Sequence, residues 1–157
     1  MRWQSFAVLS ILVALVTSRQ GCAAKPAAKI DGEPIPLNST DPRFSGYLRQ
    51  VSNMIREKLI YPCLKDVTTG RCEYKAAMLT IQFGLLQDGR VADVAVTKKA
   101  EWQVYENAAV TAVRIAAPFP PVPPKLMATA KPESPGIPIT ANFFYVLNAE
   151  KIPEPLR

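Results

Sequence analysis

The sequence contains no histidine, only three cysteines, no long run of one charge and no apolar stretch long enough to span a membrane. Without histidine there is no Ser-His or Cys-His nucleophile pair, no imidazole base and no His-ligated metal site. The acids Asp66, Glu73, Asp88, Asp93, Glu101 and Glu106 stand singly, so no carboxylate pair for acid–base work is visible, and Asp88 is explained by its turn. The residues therefore read as a binding protein and not an enzyme, with no cofactor and no metal. Basic residues exceed acidic ones, 19 to 13, but they are scattered. The longest basic runs are pairs such as Lys98-Lys99, with no basic helix face and no interleaved aromatics, which argues against nucleic acid.

What is present is an apolar fraction of 48%, enough to fill a core, and 15 prolines in 157 residues, about twice the usual share of roughly 5%. One domain with proline-rich connections fits this length. Residues 1–24 read as a secretory signal: Arg2 gives a positive start, Phe6 to Val16 is mostly apolar, and Gly21, Ala23 and Ala24 are small. The eleven residues from Phe6 to Val16 fall short of the about 20 a membrane span needs. Cleavage after Ala24, lipidation at Cys22, where Gly21-Cys22 resembles the end of a lipobox, and retention as an anchor all stay open.

If Cys22 is removed or acylated, Cys63 and Cys72 remain, and two thiols in an oxidising compartment are expected to pair. A two-cysteine metal site would lack further ligands. Residues 25–43, with Pro26, Pro34, Pro36 and Pro42, read as an extended, mobile tether, spanning at most about 65 Å.

Leu48, Val51, Ile55 and Leu59 recur at helical spacing, and the helix should stop before Pro62. Ala77, Leu79, Ile81, Phe83 and Leu85 alternate with more polar residues up to Asp88-Gly89, and Val91 to Val96 alternates again, which predicts a hairpin. Tyr105, Ala108, Ala109, Ala112, Val113 and Ala116 make the inward stripe of a second helix, ended by Pro118. The run Pro118 to Pro124 should be polyproline II, a stiff connector across the domain. Ile137 to Leu147 gives a last strand, with Pro138 suggesting an edge. The fold expected is α+β, a three-stranded antiparallel sheet with two helices packed on it, over residues 44–147, followed by a tail at 148–157.

The run from Tyr47-Leu48 to Tyr61-Pro62, the turn Asp88-Gly89-Arg90-Val91, the segment Tyr105 to Arg114, and Ala117-Pro118-Phe119-Pro120-Pro121-Val122-Pro123 with Leu126 resemble the C-terminal domain of the TonB/TolA family. The resemblance covers nearly all of the folded part, and it rests on the order and spacing of these pieces together. It implies a periplasmic domain of a Gram-negative bacterium that binds outer-membrane receptors or envelope components by strand addition. Within that pattern, Lys98-Lys99-Ala100 replaces a Ser-Ser-Gly-like turn, Glu106 stands where Asp is common, and Cys63 to Cys72 looks like an insertion. The family's force-transducing members carry a membrane-spanning N-terminal helix with a functional histidine and a long proline-rich spacer; neither is read here.

Carried over, the pairing edge is Thr140, Ala141, Asn142, Phe143, Phe144 and Tyr145, with the Tyr61-Pro62 corner as a contact. There, main-chain hydrogen bonds supply affinity and alternate side chains selectivity. Phe143 and Tyr145 fall on the inward face, leaving Asn142 and Phe144 outward. The alternative to a receptor-binding, energy-coupled adaptor is an envelope assembly module docking through the same fold. An open edge also leaves a strand-swapped homodimer open as an alternative.

Overall fold

The computed structural model describes residues 29–146. The signal segment, Cys22, residues 25–28 of the tether and the tail beyond residue 146 lie outside the described residues.

In chain order the elements are β1 (Ile35–Pro36), α1 (Ser45–Lys58), β2 (Leu64–Lys65), β3 (Cys72–Glu73), β4 (Ala77–Leu86), β5 (Val91–Lys98), α2 (Gln103–Ala116), α3 (Pro124–Met127) and β6 (Gly136–Tyr145). The mixed α+β class stands, but the expected three-stranded sheet needs correcting. Its antiparallel core, β6-β4-β5, is joined by β1 at the β6 side, and a separate two-stranded sheet pairs β2 with β3. Two residues, one of them proline, carry no periodicity that could have announced β1.

Strand alternation sorts the core. Leu79, Ile81, Phe83 and Leu85 of β4 and Ile137, Ile139, Ala141, Phe143 and Tyr145 of β6 are buried on one face. Against them lie Leu48, Val51 and Ile55 of α1 and Tyr105, Ala109, Ala112, Val113 and Ala116 of α2. The alanines of α2 keep its axis close to the sheet. Ahead of α2, the Glu106 carboxylate accepts the Ala100 N–H at 2.9 Å, fixing the turn that follows Lys98-Lys99.

The proline-rich connector is held down. Phe119 N–H donates to Gly89 C=O and Val122 N–H to Gln87 C=O, each at 2.9 Å, and both side chains are buried. Tyr47 Oη donates to Pro120 C=O at 2.7 Å, and burial pushes its pKa up to about 12.

The stretch expected to be a mobile tether is also anchored within the described residues. Leu37 N–H donates to Thr140 C=O at 2.8 Å, Ile35 and Leu37 pack on the core, and Lys131 Nζ meets Asp31 at 2.8 Å. The reason is apolar burial: Ile35 and Leu37 are two positions apart, and in an extended chain both face inward.

Cys63 and Cys72 are joined as a disulfide at the base of the exposed β2–β3 hairpin, their Cα atoms 5.4 Å apart. At its tip the Asp66 carboxylate accepts the Thr68 and Thr69 N–H groups and Thr69 Oγ1, which holds its pKa below the usual carboxylate value. Reducing the bridge, or replacing both cysteines with serine, should lower stability by up to about 2 to 3 kcal/mol on the loop-closure estimate. Urea unfolding with and without reductant measures this; no difference would mean the hairpin is fully decoupled from the domain.

Candidate partner-binding edge

β6 is the strand whose two sides differ. Towards β4 it is paired over its whole length, from Ala77 opposite Tyr145 to Leu86 opposite Gly136. On its other side β1 pairs only with Ile139 and Thr140, in parallel. From Ala141 to Tyr145 no strand lies on that side among the described residues.

The direction of the backbone groups follows from one bond. Leu37 N–H donates to Thr140 C=O, so Thr140 directs its main-chain groups away from β4. A residue's N–H and C=O point to the same side of a strand, and the side alternates along the chain. Pro138, Thr140, Asn142 and Phe144 therefore face outward, while Ala141, Phe143 and Tyr145 bond to β4. Pro138 fits this parity, because the N–H it lacks would have pointed away from β4.

Side chains divide the same residues differently. Ala141, Phe143 and Tyr145 are buried in the core, so they shape the strand from within and offer a partner nothing directly. Asn142 is exposed, and its Oδ1 accepts the Thr80 hydroxyl at 2.8 Å on the helix-free face of the sheet. Phe144 is half-buried opposite Met78, which is 44% exposed. The outward groups thus come from Asn142 and Phe144, with Thr140 already engaged by β1.

Tyr61 buttresses the far end of the strand. Its ring meets Tyr145 edge-on at 5.3 Å and also packs against Tyr74 and Tyr105, while its hydroxyl donates to Lys75 C=O at 3.0 Å. Tyr145 Oη donates to Tyr105 C=O at 3.2 Å, and Lys75 N–H donates to Tyr105 Oη at 2.8 Å. Burial, then the neighbouring Tyr105, raises the Tyr61 pKa, and burial raises that of Tyr145. These phenols act here as neutral, hydrogen-bonded wedges. Pro62 is half-buried beside Tyr61 and leads the chain into the disulfide hairpin.

Residues 44–141 match the family described as TonB C terminal. The chain belongs to the TonB C-terminal family. Neither the curated proteins nor the solved structures compared with it gave a match. The matched span opens at Phe44, the residue preceding α1, and closes within β6, so β1 lies before it and Asn142 to Tyr145 lie just after it. TonB C-terminal membership points to a protein-interaction role. Among the described residues there is no cluster of metal-ligating side chains, and no helix is long and apolar enough to cross a membrane.

The sequence reading missed β1 and the role of Tyr74 and Tyr105 around Tyr61. Ile35 and Leu37, with proline between them, are too short an alternation to announce β1. The tyrosines come together from three separate parts of the chain, which no local pattern reports.

Proposed function

We propose that this chain is a TonB-like periplasmic adaptor that takes an extended peptide of an outer-membrane receptor or envelope complex as an added strand on β6. The observation that carries the reading is the edge from Asn142 to Tyr145. There the main-chain groups of Asn142 and Phe144 point outward with no strand beside them among the described residues, on a domain of the TonB C-terminal family. Strand addition satisfies such groups through main-chain hydrogen bonds, which supply affinity, while alternate side chains of the added strand supply selectivity. The Cys63–Cys72 disulfide supports an oxidising compartment, and hence export under residues 1–24, with the product released or lipid-attached at Cys22. No catalytic, cofactor or nucleic-acid role is assigned.

The test is capture of partners from detergent-solubilised envelopes with the tagged full chain as bait, read by mass spectrometry. Recovery of outer-membrane β-barrel receptors is expected and would support coupling to transport. Recovery of only secretion, division or cell-wall components would replace it with the second reading, an assembly module without energy transduction. Capture of no envelope protein would overturn both.

A further inference from the structure

The chain itself already fills part of the candidate edge. Ile35 and Pro36 lie parallel to Ile139 and Thr140, and Leu37 N–H takes the Thr140 carbonyl. Ile35 and Leu37 rest on the core while Pro36 points to solvent. The segment is lightly held. Behind it are the ion pair of Asp31 with Lys131, both more than half exposed, the Asp31 N–H at 3.3 Å from Ser134 Oγ, and Ile30 seated on Gly84. Exposed ion pairs add little, and a two-residue strand with half-buried side chains belongs to the part of a fold that opens locally without unfolding the rest.

A longer strand has more to gain at the same place. Pairing from Thr140 through Phe144 would engage three outward-facing residues, Thr140, Asn142 and Phe144, where β1 engages one. Pro36 shows what the central position requires: its nitrogen has no hydrogen to donate, and it faces away from β6 in any case.

Resting on the strand-addition reading above, we propose that Ile35–Leu37 is a placeholder on the partner's edge. The incoming peptide displaces it, taking over the Thr140 pairing and the two apolar seats of Ile35 and Leu37. The segment best suited is extended, with apolar residues two positions apart and no N–H needed between them. β1 precedes the span matched to the family, so this occupant is supplied by the chain's own leading segment.

The probe is a synthetic peptide of residues 33–39, Glu-Pro-Ile-Pro-Leu-Asn-Ser, titrated into the isotope-labelled full chain and followed by amide chemical shifts. In the native protein the tethered copy competes at high effective concentration, so binding should be weak. In the double variant Ile35→Ser, Leu37→Ser the peptide should bind at least tenfold more tightly and move the Thr140, Asn142 and Phe144 amides. Leu37→Pro, which removes the N–H given to Thr140, should act in the same direction and serves if the double variant misfolds. A peptide with serine at both apolar positions should not bind.

Equal affinity for native and variant chains, absence of binding to both variants, or shifts confined to another surface would overturn the placeholder. The reading of the function fails separately. Peptide binding by the variant with no envelope protein captured would sink the adaptor and leave the placeholder standing, whereas capture by native chain alongside peptide indifference would do the reverse.

Discussion

Asn142→Pro should weaken capture of the partner by about 100-fold, equivalent to about 2.7 kcal/mol, while the domain stays folded. The asymmetry comes from the direction of one N–H. The outward parity fixed by the bond from Leu37 to Thr140 puts the Asn142 amide on the open side, so proline removes no bond to β4. Its ring blocks an incoming strand's approach to the usual spacing of about 4.8 Å. Within the domain the loss is the exposed bond between Thr80 and Asn142, a contribution of about 0.5 to 1.5 kcal/mol, seen as a modest fall in Tm. Asn142→Ala keeps the N–H and should bind nearly as the native chain does. Equal weakening by both substitutions would mean the side chain, and not the backbone, is read.

Gly89→Ala should have the largest effect on stability, a loss of about 3 to 5 kcal/mol. Gly89 has φ +88°, a region alanine enters at a cost of about 1 to 3 kcal/mol. A Cβ there would also run into the Phe119 carbonyl, which is backbone and cannot rotate aside. Relieving that collision means lifting the connector, with loss of the Phe119 N–H bond to Gly89 and the Val122 N–H bond to Gln87 and partial exposure of both side chains. A fall in urea midpoint at constant slope would report it. Gly89→Asn, more tolerant of positive φ, should recover little, since the collision remains. A change below about 1 kcal/mol for alanine would contradict the connector's role as a clasp on the β4–β5 turn.

Much of the fold was legible because its long elements repeat. The 3.6-residue spacing of Leu48, Val51 and Ile55, and the stripe from Tyr105 to Ala116, name the buried residues of α1 and α2. Alternation names those of β4 and β6, and Asp88-Gly89 marks the hairpin turn. Alternation also separated Asn142 and Phe144 from Phe143 and Tyr145.

What escaped depends on contacts far apart in sequence. Ile35 finds Ile139, and Tyr61 finds Tyr145, across most of the domain. A two-residue strand containing proline has too little pattern to be recognised before its neighbour is known. Sequence pattern alone therefore leaves the tether mobile and Thr140 on the open edge, whereas in the fold Leu37 occupies the Thr140 carbonyl.

Strand addition on β6 is tested most directly by amide hydrogen exchange of the full chain, alone and with a captured envelope partner. The expected result is slowed exchange at Asn142 and Phe144, which have no strand neighbour on that side among the described residues, with the outer amides of β5 unchanged. Slowing along β5, or confined to the helices or the β2–β3 hairpin, would contradict it and move the binding surface elsewhere on the domain.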